Sequence, residues 1–122
     1  MKLHLNSIDG LNSISAHGPG FVMVNHTRVE NAAIVMPDKL ISPWPVPPFE
    51  ALGVADFALL MEMKPELVVF GCGTTFRFPD ARIMAAFSKA RIGFEVMDTP
   101  AACRTYNVLM GEGRNVAAAL ML

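Results

Sequence analysis

The sequence predicts an α/β fold, with a strand-helix-strand-helix-strand C-terminal half preceded by an antiparallel β meander. Three observations carry that expectation. Leu67-Val68-Val69-Phe70 and residues 116–122 are continuous apolar runs, the pattern of strands buried on both faces of a helix-covered sheet. Between them, Ile83, Met84, Ala86, Phe87 and Ala90 recur at helical spacing, and a second helical segment runs from residue 99 to about residue 110. In the first third, Gly18-Pro19-Gly20, Asn25-His26 and Pro37-Asp38 cut the chain into short extended runs. Parallel strands need crossovers, which the helices supply. The meander then either extends the sheet or packs as a second one.

The bulk numbers agree with one globular unit. A chain of 122 residues is long enough for one core and short for two, so residues 1–122 read as a single domain. Apolar residues make up 52% and charged residues 17%, which excludes a disordered chain. A net charge of -1, with no basic run, gives no electrostatic case for nucleic acid or an anionic membrane. The first residues lack the long apolar stretch of a secretory signal, and residues 116–122 are too few to span a bilayer. Two cysteines make no disulfide framework. Together these point to a cytoplasmic protein without a transmembrane segment.

Taken in order, residues 1–12 are a polar, Asn/Ser-rich arm. Residues 14–17 and 21–25 form a hairpin about Gly18-Pro19-Gly20, and 27–29 and 32–36 continue the meander. Ser42-Pro43-Trp44-Pro45-Val46-Pro47-Pro48 excludes regular structure, because proline removes a donor and restricts its predecessor. Trp44 is read as pinning this connector to the core, in preference to a proline-rich docking segment with only Pro45 and Pro48 at the required spacing. Residues 54–63 read as a mostly buried helix ended by Pro65. After the strand at 67–70 and the loop Gly71-Cys72-Gly73-Thr74-Thr75, Asp80 caps a helix that Gly93 stops. Residues 94–97 are a strand. Asp98 or Thr99 caps the next helix, with Pro100 suited to its first turn, and residues 115–122 are the last strand.

In open α/β sheets ligands gather at the carboxyl ends of strands. Two segments reach that edge: Gly71, Cys72 and Gly73, and the run from Asp98 and Thr99 through Cys103, Arg104, Tyr106 and Asn107. The glycine loop is neither a Walker loop nor a dinucleotide fingerprint. Its amides can cradle an anion, but the favoured reading is that the glycines let the chain leave the strand. Cys72 and Cys103 would share one rim if their strands are neighbours, about 4.8 Å apart. A helix start and Arg104 would favour a thiolate at Cys103, yet no partner stands at C-x-x-C spacing, and a core role is favoured. Arg104 either clamps an anion or pairs with Asp98; for Arg104, Tyr106 and Asn107 the structural role is favoured. His4, His17 and His26 lack ligand spacing, so no metal is expected. Glu62, Glu66 and Asp98 form no acid-base pair, and no Ser-His-Asp set can be built, so no catalytic residue is nominated.

Several segments resemble one family. They are Met97-Asp98-Thr99 through Ala102, Arg104-Thr105-Tyr106-Asn107-Val108-Leu109 and Glu112-Gly113-Arg114-Asn115-Val116-Ala117, with weaker matches at Gly18-Pro19-Gly20-Phe21, Met36-Pro37-Asp38 and Trp44-Pro45. The chain is similar to the small Mth-type domain family of uncharacterised bacterial and archaeal proteins, whose relatives include an assembly factor of mitochondrial respiratory complex I. Gly71-Cys72-Gly73 stands where the family usually has Gly-Thr-Gly, so Cys72 departs from the pattern. The resemblance implies a three-layer α/β domain with a mixed sheet, no established activity and no cofactor. It also implies work as a non-enzymatic interaction or assembly protein on an unidentified protein partner, a respiratory or membrane complex being one option. Homo-oligomerisation stays open. The alternative is a small-molecule or anion binder, or an enzyme, using the rim around Gly71, Gly73, Asp98, Thr99 and Arg104.

Overall fold

The computed structural model describes residues 10–122; the arm at residues 1–9, with His4, lies outside the described residues. Strands β1 (Ile14–Gly18), β2 (Phe21–Val24) and β3 (Thr27–Val29) form an antiparallel three-stranded sheet. Strands β4 (Ala33–Met36), β5 (Lys39–Ile41), β6 (Leu67–Gly71), β7 (Gly93–Met97) and β8 (Val116–Leu120) form a mixed five-stranded sheet in the order β5-β4-β8-β6-β7. The helices are α1 (Ala58–Met63), α2 (Ala81–Lys89) and α3 (Thr99–Gly111).

The large sheet has two dry faces because its central strands have no polar side. Every residue of β8 and of β4 is buried. Alternation then sorts their side chains: Val69, Val116, Ala118 and Leu120 join one core with β1–β3 and with Ala102, Cys103, Tyr106 and Met110 of α3. Val68, Phe70, Ala117 and Ala119 join the other, with Phe57, Leu60, Ile83 and Phe87. The result is three layers. Both crossovers carry parallel pairs, β6 with β7 and β6 with β8, so the two apolar runs seen in the sequence are adjacent and parallel as expected.

The meander divides. β1–β3 pack as a second sheet, but the strand expected at 32–36 leaves them and pairs antiparallel with β8 and with β5, a strand that the sequence reading did not contain. Burial explains the split: β1 exposes three of its five residues, whereas β4 is buried on both faces and needs cover on both. Trp44 is buried, its indole N–H donates to the Asp56 carbonyl at 3.2 Å, and its backbone N–H donates to Ala32 O at 2.7 Å, so it does pin the connector.

Several boundaries differ from the sequence reading, the last strand among them, which covers Val116–Leu120 and not residues 115–122. The segment 54–63 opens as a 3₁₀ turn (Val54–Phe57), tightened where Asp56 Oδ2 accepts the Gly53 N–H at 2.8 Å, and only then becomes α1. Lys64, in the left-handed region at φ 49°, ends α1 just before Pro65. Helix α2 is capped by Asp80 as expected, but Arg91 at φ 61° turns the chain after it and not Gly93. Gly93 begins β7, where a Cβ would stand 2.7 Å from Leu67 Cδ1. That atom is the tip of a flexible side chain, so a larger residue here would have to displace Leu67.

Candidate functional site

Because β6, β7 and β8 run parallel, their carboxyl ends fall on one edge: Gly71 is level with Met97 on one side and with Leu120 on the other. The two candidate segments therefore do meet, and Thr99 joins them. Its backbone N–H donates to Gly73 O at 2.8 Å. Its hydroxyl accepts the Gly73 N–H at 2.9 Å and donates to Met121 O at 2.7 Å. One side chain thus stitches the ends of β6 and β8 to the start of α3. Gly71 explains itself against the same residue, since a Cβ there would lie 3.0 Å from both Thr99 Cα and Thr99 Oγ1. Gly73, at φ +116°, occupies backbone space that side chains rarely enter.

Asp98 is the N-cap of α3, its Oδ1 accepting the Ala101 N–H at 2.8 Å. It makes no ion pair with Arg104, which is exposed on the outer surface of the helix. Tyr106 is buried, donating its hydroxyl proton to Asn12 O at 2.7 Å. Burial, then the charge of Asp38, raises its pKa. Asn107 reaches across to β1, accepting the Ile14 N–H at 2.9 Å and donating to Ile14 O at 2.8 Å. Both sides of one backbone position are thereby satisfied.

The cysteines do not share a rim. Cys72 belongs to the core on the α2 face and Cys103 to the core on the α3 face. The sheet lies between them, and neither is in a disulfide. Burial pushes the Cys103 thiol up to about 11 against a weaker opposing pull from Arg104, so desolvation overrides the thiolate-favouring helix start that the sequence suggested. Cys72 Sγ accepts the Arg77 N–H at 3.2 Å and contacts Thr75 O at 3.4 Å, holding the loop that follows.

That loop carries the residues that sequence reasoning missed. Phe76 and Phe78 stand in water, 50% and 63% exposed, packed edge to face with ring centres 4.9 Å apart. Arg77 between them, also exposed, lies over the neighbouring segment, 4.0 Å above the Phe49 ring and 2.8 Å from Glu50 Oε2. The only signal in the sequence was two aromatics in a stretch with neither helical nor strand spacing. Beside the loop, a cleft of about 170 Å³ opens between the Gly18-Pro19-Gly20 turn, Thr74, Pro100 and Leu122. Thr99 lines it, but with its hydroxyl already committed on both sides.

Comparison with known proteins places the chain in a family. Residues 14–121 match the family described as a protein of unknown function, DUF498/DUF598. The chain belongs to this family. A Xanthomonas campestris protein solved by NMR is 35% identical with a TM-score of 0.83, covering 93% of this chain and 86% of that one. A Bordetella pertussis protein, described as a Mth938-like domain, is 27% identical with a TM-score of 0.76, covering 93% and 87%. The DUF498/DUF598 chain thus has the Mth-type fold, as its sequence segments implied. The bovine protein named NADH dehydrogenase [ubiquinone] 1 alpha subcomplex assembly factor 3 is 35% identical over 104 residues, 84% of this chain but only 55% of that protein. The chain therefore spans little more than half the length of this curated relative. No helix among the described residues of this DUF498/DUF598 protein is long and apolar enough to cross a membrane.

Proposed function

We propose that this protein is a non-enzymatic interaction module that helps assemble other proteins, and that its partner-facing surface is the strand-end rim centred on Phe76 and Phe78. The observation that carries the reading is the exposed aromatic pair on a loop whose backbone is fixed from below by Cys72 and Arg77. Two phenylalanines packed on each other in water leave apolar surface exposed without gaining core contacts, as a binding surface does. The bovine relative, named as an assembly factor of NADH dehydrogenase, supports a protein partner of respiratory type. Arg104, exposed on the same side of the sheet as the start of α3, would then serve as a polar contact at the rim. A cytoplasmic setting fits the composition.

The second reading, a small-molecule or anion site at Gly71, Gly73, Asp98 and Thr99, rests on the cleft beside the loop. The polar groups around it favour the first reading, because the Gly73 N–H, the Thr99 hydroxyl and the Asp98 carboxylate already bond each other or the chain.

The test is purification of the tagged protein from its own cells, as wild type and as the Phe76→Ser/Phe78→Ser double variant, with bound proteins and metabolites both identified. The proposal expects specific proteins with wild type, their loss in the double variant, and a melting temperature that does not fall. The same protein set with both forms, or a bound metabolite without proteins, contradicts it.

A further inference from the structure

Strand β7 is the outermost strand of the five-stranded sheet on its parallel side. Its pairing with β6 fixes which backbone groups are used. The Gly93 N–H donates to Glu66 O at 3.2 Å and Met97 O accepts from the Cys72 N–H at 2.9 Å, so Gly93, Glu95 and Met97 bond inward. The N–H and C=O of Phe94 and Val96 point the other way, and no backbone or side-chain group of the described residues bonds them. Two donor–acceptor pairs about 6.7 Å apart match the repeat of an extended chain.

The side chains beside this edge specify more. Phe94 and Val96 pack on the α2 face. There, a groove runs along the edge between Met84, Ala85 and Ser88 of α2 and Ile92 and Phe94. Glu95 alternates to the opposite face, exposed and without an ion-pair partner among the described residues. A second copy of this chain fits poorly. The antiparallel register that bonds Phe94 and Val96 of both strands sets Glu95 directly against its own counterpart, and like charges so placed are destabilising.

We propose that the β7 edge takes up an extended segment of a partner protein, with apolar residues beside Phe94 and Val96 and a Lys or Arg opposite Glu95. Main-chain hydrogen bonds to Phe94 and Val96 hold the segment, the α2 groove receives its apolar side chains, and Glu95 selects its charge. This surface is separate from the Phe76–Phe78 loop, so each stands or falls alone.

The experiment uses the isotope-labelled chain and short synthetic peptides containing Val-Lys-Val, Val-Glu-Val, or Val-Lys-Val with methylated backbone nitrogens. Amide exchange and chemical shifts are followed by NMR. The expected result is slowed exchange at the Phe94 and Val96 amides with the Val-Lys-Val peptide. Its binding should be about tenfold tighter than that of Val-Glu-Val, and the methylated peptide should not bind. Glu95→Lys, a surface change, should reverse the order of the two charged peptides. Val96→Pro removes an outward N–H that β6 does not use and should abolish binding by both. No binding at millimolar peptide, shifts located away from β7 and α2, an unchanged order in Glu95→Lys, or Phe94 and Val96 shifts that depend on protein concentration alone would each overturn the proposal.

Discussion

Asn107 sits about two turns past the helix start that the sequence marked as a candidate site, and it is used to hold β1 to α3 by a donor and an acceptor on Ile14. Asn107→Ala removes both and leaves two backbone groups of Ile14 without partners, at a cost of about 1–3 kcal/mol. Urea unfolding should show a lower midpoint with an unchanged slope. Cys103 gives a pH prediction. Below about pH 9 the thiol is protonated in both folded and unfolded chains, so pH has no effect through it. From 9.0, its ordinary value, to about 11, its folded value, the unfolded chain sheds the proton while the folded chain keeps it. Stability therefore falls as pH rises through that window, by at most about 1.4 kcal/mol per pH unit. Cys103→Ala should make that part of a stability–pH curve less steep, the remaining fall at its upper end coming from Tyr106, whose pKa burial also raises. Being buried, Cys72 and Cys103 should both resist a thiol reagent until the chain unfolds.

At the scale of elements, Thr99 is where strand ends and helix start are joined. Thr99→Val keeps the shape but leaves the Gly73 N–H and the Met121 C=O unbonded, costing about 1–3 kcal/mol for each group that water cannot reach. Thr99→Ser keeps both bonds and should lose much less; thermal unfolding of the two variants measures the difference. Most elements were legible in the sequence, because periodicity is local: the stripe from Ile83 to Phe87 and the runs at β6 and β8 suggest their own type, whereas the three-residue strand β5 is too short to show a period. Which strand pairs with which was not. Residues 32–36 look like the next stretch of a meander, and only their burial on both faces, a property of the assembled sheet, sends β4 to β8. The site divided the same way. The sequence brought Gly71, Gly73, Asp98 and Thr99 to one edge, since parallel strands align their ends. It could not show that these groups bond one another, nor that Cys72 and Cys103 fall on opposite faces. Phe76 and Phe78 escaped notice because exposure leaves no pattern in a loop.

Across the whole molecule, the five-stranded sheet is closed above by α3 and the small sheet and below by α1 and α2. Most of its apolar surface is thereby used internally; single aliphatic side chains such as Val54, Leu59 and Val108 remain exposed, while Phe76 and Phe78 form an exposed aromatic pair that the proposed function must explain. Two serines there should leave the unfolding midpoint within about 0.5 kcal/mol of wild type, as for surface positions that hold no core contacts, since the loop is held by Cys72 and Arg77. The most direct measurement is crosslinking in the protein's own cells with a photoreactive phenylalanine placed at Phe78, and at Glu30, exposed just beyond β3, as a control. The account predicts covalent adducts of protein size at Phe78 that are absent at Glu30. Adducts at both positions alike, or none of protein size at Phe78, would contradict it.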